Sequence, residues 1–225
     1  MTLSGKGARW LSRLLICAGL WQLGSGSWLW LKAELAQYLI SDSWQRQIAS
    51  GEIHKPWPWA DTWPVARLQL GDEKPLVVLE GASGQALAFG PGMVQTDIPS
   101  PDGGAAVPIT VIAAHRDTHF RGLERLHPGS PVQLQGADGR WHRYAVREAR
   151  VVDSRSGVLP SFSQSGNAAG VMLVTCYPFD AVDAGGPLRY LVYAEQVDRP
   201  AVVESMIESG AESMIGSTAE SVVEL

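Results

Sequence analysis

The sequence predicts a mainly β domain that follows an N-terminal membrane helix. Residues 14–31 carry no formal charge and lie behind a basic segment, which is typical of a membrane anchor. From residue 66 onward, short β-type runs alternate with turn residues, which favours a closed or sandwiched antiparallel sheet. Together these two observations predict a tethered β protein.

The composition places the chain among folded proteins. It has 225 residues, of which 45% are hydrophobic and 18% charged, and a chain of this size usually builds one sizeable core. Five of its 23 acidic residues follow residue 200, so residues 1–200 carry 18 acids against 18 bases. This balance gives no electrostatic support for a nucleic-acid partner. The two cysteines exclude a disulfide-stapled scaffold and a four-cysteine zinc site.

Residues 1–31 are predicted to form a short cytoplasmic segment and a transmembrane anchor. At 1.5 Å per helical residue, the uncharged run 14–31 spans about 27 Å, which is close to the thickness of a hydrocarbon core. Lys6, Arg9 and Arg13 precede it with no acidic residue among them. The positive-inside rule then predicts a cytoplasmic N-terminus and an exported remainder. A cleaved signal peptide is the alternative, because it also combines a basic start with an apolar core.

Residues 32–64 are predicted to connect the anchor to the β domain. In residues 32–50 the apolar side chains recur at helical spacing, which indicates an amphipathic helix emerging from the membrane. Residues 54–64 form a Trp-rich strap after this helix, and Pro56, Pro58 and Pro64 exclude a regular helix there. The strap either packs on the domain as extended chain or forms a ligand site.

Residues 65–198 are predicted to form the β domain itself. A hairpin turn is expected at 137–139, and short helical segments are expected at 120–126 and near 156–166. Residues 199–225 repeat a Glu-Ser pair with a period of eight and lack aromatic residues, as in a low-complexity acidic tail outside the fold. The predicted strands are 66–70, 75–80, 86–89, 108–114, 131–135, 141–152, 171–176 and 189–197.

Three residues with catalytic potential are predicted to lie at strand ends. Cys176 ends one apolar strand, and His115 directly follows another. Arg189 opens the strand after the cysteine, so an antiparallel hairpin would place it beside Cys176. To act as a nucleophile, a thiol needs either a base or a cation that favours the thiolate, and His115 and Arg189 could supply both. Two alternatives stay open: Cys176 as a small core residue, and Arg189 in a surface ion pair with Asp180 or Asp183.

The motifs around these residues resemble those of the sortases, which are membrane-anchored cysteine transpeptidases. The resemblance extends over residues 60–198, and the WPWADTWPVARL segment with the chain length is most similar to sortases of Gram-negative proteobacteria. The nucleophile motif is LVTC rather than the full TLxTC of the family. The matching segments are ITVIAAHRDTHF with the family's histidine at His115, FRGLERLHPGS, LVTCYPF with its cysteine at Cys176, and LRYLVYAE with its arginine at Arg189.

This resemblance implies a closed eight-stranded sortase-like β-barrel and a covalent mechanism. Cys176, as the thiolate, would attack the threonine carbonyl of a signal similar to Leu-Pro-x-Thr-Gly and form a thioester. His115 would protonate the departing amine and then deprotonate the incoming amine. Arg189 would stabilise the oxyanion or orient the substrate backbone.

The resemblance also implies the partners and the location. Thr175, Ala114 and Tyr177 are expected to contact the substrate, a protein with a C-terminal sorting signal, and an amine is the expected acceptor. No metal or organic cofactor is expected, because His115 and His119 follow a strand and lack the glutamate of a zincin motif. The chain is expected to be a single-pass protein of the cell inner membrane, with its catalytic domain in the periplasm.

Two other functions are compatible with the sequence. An exported cysteine endopeptidase would use Cys176 and His115 in the same way but with water as the acceptor. A non-catalytic, membrane-tethered β-barrel would bind extended peptides and keep Cys176 as a structural residue. The fate of a trapped thioester separates the first alternative from a transpeptidase, and thiol reactivity separates the second.

Overall fold

The computed structural model describes residues 5–98, 107–156, 162, 169–182 and 185–197. The elements are α1 (Gly5–Ser50), β1 (Pro64–Leu70), β2 (Leu76–Glu80), α2 (Gly84–Phe89), β3 (Gly92–Ile98), β4 (Val107–Ala113), a 3₁₀ turn (Arg121–Arg125), β5 (Pro131–Gln135), β6 (Trp141–Asp153), a second 3₁₀ turn (Ser154–Ser156), β7 (Gly170–Cys176) and β8 (Leu188–Gln196). Within the described residues, eight strands close into a barrel in the order β1-β2-β3-β4-β7-β8-β6-β5. The predicted closed eight-stranded β-barrel is confirmed.

Two elements between β2 and β4 differ from the sequence prediction. Residues 86–89 are predicted as a strand, but they belong to α2. The Ser83 side chain accepts a hydrogen bond from the Ala86 N–H at 3.2 Å and thereby caps this helix. The sequence does not predict β3, which begins at Gly92 directly after Gly90 and Pro91. The number of strands still agrees, because β3 takes the place of the misassigned run.

Two neighbouring strand pairs are parallel, so the expectation of an entirely antiparallel sheet is wrong. β2 and β3 pair in parallel over two residue pairs, and β4 and β7 over five. The remaining neighbours in the barrel pair antiparallel. The β4·β7 pair lets two strands that are distant in sequence run side by side and end at the same edge of the barrel.

The N-terminal helix is continuous from the uncharged run to the barrel. α1 joins the expected anchor to the expected amphipathic helix without an interruption. Residues 9–28 in its N-terminal half are exposed, whereas Ile40, Ser43, Trp44 and Gln47 near its C-terminus are buried. The helix is long and apolar enough, by length and composition, to cross a membrane. It therefore presents an uncovered apolar half and a half that packs on the domain.

The Trp-rich strap between α1 and β1 packs on the domain in part. Trp57 meets Phe89 edge to face, with 5.2 Å between the ring centroids. The Ser43 hydroxyl donates to the His54 carbonyl at 2.5 Å, which ties the strap to α1. Trp59, in contrast, is 81% exposed. Packing thus accounts for Trp57 but not for its neighbour.

Apolar side chains pack on both faces of strands β4, β7 and β8. Side chains alternate along a strand, and one set, including Val171 and Leu173, points into the barrel. The other set, including Met172, packs on the outer face together with Phe162. The ring of Phe162 stacks on that of Tyr193 with 5.0 Å between their centroids. Since these strands are covered from both sides, they form a rigid base for groups at their ends.

The shorter predicted features agree with the structure where it describes them. The turn at 137–139 connects β5 to β6, and Gly139 adopts a φ of +77° that favours glycine. The helical segment predicted at 120–126 contains the first 3₁₀ turn. The tail 199–225 lies outside the described residues, as does most of the segment 156–166.

Candidate active site

The carboxyl ends of β4 and β7 lie side by side. Ala113 pairs with Val174 in the parallel register, and the Ala114 N–H donates to the Val174 carbonyl at 3.2 Å. Two residues beyond this pair, the chains reach His115 and Cys176. The same register therefore brings His115 level with Cys176, which lies at the end of the neighbouring strand β7.

Arg189 lies on the other side of the cysteine. In the antiparallel β7·β8 pair, Arg189 is the direct partner of Cys176. Its Nη1 donates to the carbonyls of Gly186 at 2.5 Å and Leu188 at 2.9 Å. These bonds are made to backbone oxygens rather than to Asp180, and Asp183 lies outside the described residues. The strand that carries the thiol is thus flanked by a histidine and an arginine.

Residue alternation puts the three groups on the same face. On β7, Leu173 points into the core and Met172 packs outside, so Cys176 shares the outer face with Met172. Arg189 faces the same way, because directly paired residues project to one side of a sheet. The alternation along β4 gives His115 the outer face as well. His115 is exposed, while Cys176 and Arg189 are half-buried.

Thr175 and Ala114 lie behind this face. Both side chains are buried, with exposures of 2% and 6%, and Ala114 belongs to the interior core. The Thr175 hydroxyl donates to the Ala114 carbonyl at 2.7 Å, between residues 61 positions apart. This bond joins the residue before the cysteine to the residue before the histidine. The predicted contact of Thr175 and Ala114 with a substrate stays a prediction, and the structure shows their mutual bond.

Tyr177 belongs to an aromatic cluster directly after the cysteine. Its ring stacks on Tyr190 with 6.2 Å between centroids and meets Phe179 edge to face at the same distance. Phe179 and Tyr190 also contact each other at 5.2 Å. Burial raises the pKa of Tyr190, and the neighbouring Tyr177 adds to the effect. The cluster fixes the path of the chain as it leaves β7.

A pocket of about 630 Å³ lies between the loop after β4 and the loop after β7. Cys176, His115 and Arg189 are not part of its wall, so the pocket adjoins the strand ends rather than enclosing the thiol. Charges of both signs surround it. Its wall consists of Arg116, Asp117, Arg121, Glu124, Tyr177, Pro178, Phe179 and Asp180.

Arg116, which follows His115, is a buried residue of this region that was not predicted from the sequence. This side chain is only 9% exposed, and its Nη2 donates to the Ala181 carbonyl at 2.8 Å. The alternation of side chains along β4 indicates in part that Arg116 is buried, because Ile112 and Ala114 point inward and position 116 continues their alternation. A charged group at such a position needs a partner inside the protein. The partner lies 65 residues away and could not be identified from the sequence.

A second histidine stands near the first. Burial lowers the pKa of His119, and the charge of His115 lowers it further. The Nδ1 atom of His119 lies 3.3 Å from the Thr118 hydroxyl oxygen. The neutral form of His119 is therefore favoured next to a histidine that is exposed to solvent.

The region that holds this arrangement matches a known domain family. The sortase domain family matches residues 71–197, more than half of the chain. The chain belongs to the sortase family. The matched part of this sortase contains β4, β7 and β8, and with them His115, Cys176 and Arg189. A comparison with curated proteins finds no match.

Solved structures of other sortases resemble this sortase. Sortase A from Corynebacterium diphtheriae aligns with a TM-score of 0.50 and 24% identity, over 63% of this chain and 64% of that chain. A lid mutant of the same sortase A aligns with a TM-score of 0.50 and 22% identity, over 75% of this chain and 92% of that one. Sortase C-1 from Actinomyces oris has 22% identity and a TM-score of 0.45, over 60% and 76% of the two chains. At these identities the similarity concerns the fold.

Proposed function

We propose that this sortase is a cysteine transpeptidase that cleaves a sorting signal similar to Leu-Pro-x-Thr-Gly and transfers the target protein to an amine. The observation that carries the proposal is the register that brings His115 and Arg189 to either side of Cys176. On their shared outer face His115 is exposed and Cys176 and Arg189 are half-buried, so a peptide that binds at these strand ends would contact all three groups. A cysteine with only a structural role would not need an imidazole and a guanidinium beside it.

The first half of the reaction makes the thioester. The Cys176 thiolate attacks the carbonyl carbon of the threonine, and a tetrahedral intermediate forms. The C–N bond to the following residue then breaks, and the His115 imidazolium gives its proton to the departing amine. The products of this half are the acyl-enzyme, the free C-terminal peptide and a neutral His115.

The second half transfers the acyl group. The acceptor amine attacks the thioester carbonyl, and His115 takes a proton from it. The C–S bond breaks, an amide forms, and the Cys176 thiolate and the His115 imidazolium are both regenerated. Atoms and protons therefore balance over the cycle, and neither a metal nor an organic cofactor enters it.

Arg189 is proposed to bind the oxygen that becomes negative in both halves. Its Nη1 is already engaged with two backbone carbonyls, which fixes the plane of the guanidinium. The donors on Nε and Nη2 have no protein partner among the described residues and are available to a substrate oxygen. Tyr177 is proposed to contact the substrate beside the thiol. Thr175 and Ala114 are proposed to support it from behind through their mutual hydrogen bond.

The test uses a peptide similar to Leu-Pro-x-Thr-Gly, with and without an added amine, and mass spectrometry of enzyme and products. Cys176→Ala should form no acyl-enzyme. His115→Ala and Arg189→Ala should stay folded and lose a factor of about 100 or more in turnover, because each acts on proton transfer or developing charge. Wild-type levels of product from folded Cys176→Ala would overturn the proposal.

The same experiment distinguishes the two alternatives. If water resolves the thioester as fast as a saturating amine does, the protein is a cysteine endopeptidase. If wild-type enzyme forms no thioester and Cys176 resists alkylation in the folded protein, the barrel is a non-catalytic peptide-binding domain. Cys17, which is exposed on α1, should first be changed to Ser so that only Cys176 can be labelled.

We further propose that residues 14–31 anchor the protein in the inner membrane of a Gram-negative proteobacterium, with residues 1–31 as cytoplasmic segment and anchor. Among the residues that the structure describes, none covers the apolar window of α1, which supports this. The connecting segment 32–64 and the barrel 65–198 would then lie in the periplasm, followed by the tail 199–225. Carbonate extraction and protease digestion of spheroplasts test the arrangement. A soluble mature form that lacks the first 30 residues would replace the anchor by a signal peptide.

A further inference from the structure

The two loops that leave the candidate active site are joined by one buried side chain. The first loop follows β4 and contains His115 two residues beyond the strand, and the second begins with Tyr177, directly after Cys176. Arg116 lies on the first loop, and its guanidinium reaches across to the carbonyl of Ala181 on the second at 2.8 Å. It is the residue adjacent to the candidate acid–base group.

The burial of this guanidinium requires an explanation. Arg116 is 9% exposed, and a charged group removed from water costs folding free energy unless hydrogen bonds compensate for it. Arg125, on the 3₁₀ turn of the same loop region, shows the ordinary arrangement: it is exposed and pairs with Glu73 at the surface. A buried arginine beside the histidine is thus maintained at a cost that a surface arginine avoids.

We propose that Arg116 is a positioning residue that sets His115 relative to Cys176. The backbone of Arg116 continues that of His115, so holding the guanidinium holds the histidine. The carbonyl that it binds lies five residues beyond Cys176, on a segment fixed by the aromatic cluster of Tyr177, Phe179 and Tyr190. Arg116 thereby makes a second connection between the β4 and β7 segments, in addition to the Thr175–Ala114 hydrogen bond on the inner side.

This inference rests on the proposed function, because it assigns a role in the reaction of His115 and Cys176. It concerns alignment rather than contact with substrate. Loss of alignment should slow the chemical steps, since a displacement of about 1 Å can cost about a hundredfold in rate. Substrate affinity should change little, because the guanidinium is bound to the Ala181 carbonyl and only 9% of Arg116 is exposed in the wall of the pocket.

The experiment compares Arg116→Met, Arg116→Lys and Arg125→Met in the full chain with Cys17→Ser. In Arg116→Met we expect kcat for transpeptidation to fall about tenfold to a hundredfold, with KM within about threefold of the wild type. Arg116→Lys should recover part of the loss, because an ammonium group can donate to the same carbonyl. Added guanidinium at millimolar concentration should also raise kcat of Arg116→Met. Arg125→Met should keep wild-type kcat, since an exposed ion pair contributes little.

The outcomes separate this inference from its competitors. A rise in KM with unchanged kcat would make Arg116 a substrate-binding residue and overturn the positioning role. Wild-type kcat in folded Arg116→Met would also overturn it. If Arg116→Met fails to fold, Arg116→Lys decides, and wild-type kcat in that variant with guanidinium having no further effect would count against the inference. Absence of an acyl-enzyme in the wild type would instead mean that the proposed function itself has failed.

Discussion

The two parallel strand pairs of the barrel make a natural comparison. In both, a buried threonine hydroxyl beside the pair donates to a backbone carbonyl: Thr62 to Glu80 at 2.8 Å near β2·β3, and Thr175 to Ala114 at 2.7 Å near β4·β7. The strands end differently. β2 stops where β3 begins, since Leu79 pairs with Gly92, whereas β4 and β7 run together and stop within two residues of each other.

The level at which the two strands end decides whether a parallel pair brings functional groups together. Parallel pairing alone joins β2 to β3 and closes the barrel, but the chains that follow go separate ways. When both strands end at one level, as β4 and β7 do, the next residues of each chain meet at a common edge. His115, two residues beyond β4, and Cys176, the last residue of β7, lie at that edge. The comparison predicts that damage to the first pair affects stability, and that damage to the second affects catalysis as well.

Gly92→Ala should give the largest change. A Cβ atom at this position would lie 2.2 Å from the Gly81 carbonyl oxygen, so the backbone of the β2·β3 junction must shift. We expect the free energy of unfolding to fall by about 3 kcal/mol, at the upper end for overpacking. Turnover per folded molecule should be unchanged. Thermal and chemical denaturation measure the first quantity, and active-site titration with a thiol reagent normalises the second.

Gly84→Ala is the matched control for this variant. A Cβ atom there meets nothing within 4 Å, and the residue begins α2. Alanine favours helix over glycine, so the control should be neutral or slightly more stable. Equal losses in both variants would remove the special role of the close approach at Gly92.

The pair Thr175→Val and Thr62→Val gives an intermediate effect and tests the comparison directly. Valine has nearly the same size as threonine but lacks the hydroxyl, so each variant leaves a carbonyl without that donor. Each should therefore lose about 1–2 kcal/mol of stability. Only Thr175→Val should also lower kcat, by about tenfold, because its bond aligns the strand ends that carry His115 and Cys176.

Steady-state kinetics on the folded proteins decide between the outcomes. Thr175→Ser keeps the hydroxyl and should retain most of the turnover. Identical kcat values in Thr175→Val and Thr62→Val would show that the two strand pairs do not differ in the way we describe.

The smallest expected effect is a titration shift at His119. Its pKa is lowered first by burial and then by the charge of His115. In His115→Ala the second cause disappears, so the pKa of His119 should rise but stay below 6.5 because burial remains. NMR titration of the imidazole Hε1 signals reports this value. An unchanged pKa would show that the two imidazoles do not interact.

The sign of the pH effect follows from the same shift. The folded protein disfavours protonated His119, whereas the unfolded chain protonates it at the ordinary pKa of 6.5. Stability contributed by neutral His119 is present above that pH and is lost as the pH falls through it. His119→Gln should flatten this part of the stability profile.

Much of this arrangement could be predicted from the sequence, because the local pattern of apolar residues indicates where strands end. Cys176 and His115 terminate apolar runs, and the hairpin spacing leads from Cys176 to Arg189. The short run 86–89 was ambiguous, since four apolar residues suit either a strand or a helix, and the Ser83 cap decides for the helix. Long-range partners were out of reach. The parallel pairing of β4 with β7 and the Arg116–Ala181 bond link segments about 60 residues apart, and no local pattern specifies them.

Because α1 is an uninterrupted helix, it sets the distance between the membrane and the barrel. With residues 14–31 in the bilayer, as we propose, Ile40 is the first fully buried residue of the helix. Ile40 lies nine positions beyond Leu31 along the helix, which corresponds to about 13 Å along the axis. A flexible tether would let the barrel search a wide volume, but a helix keeps it at a nearly constant distance. Under the function we propose, a target held in the same membrane would need a spacer of matching length between its sorting signal and the membrane.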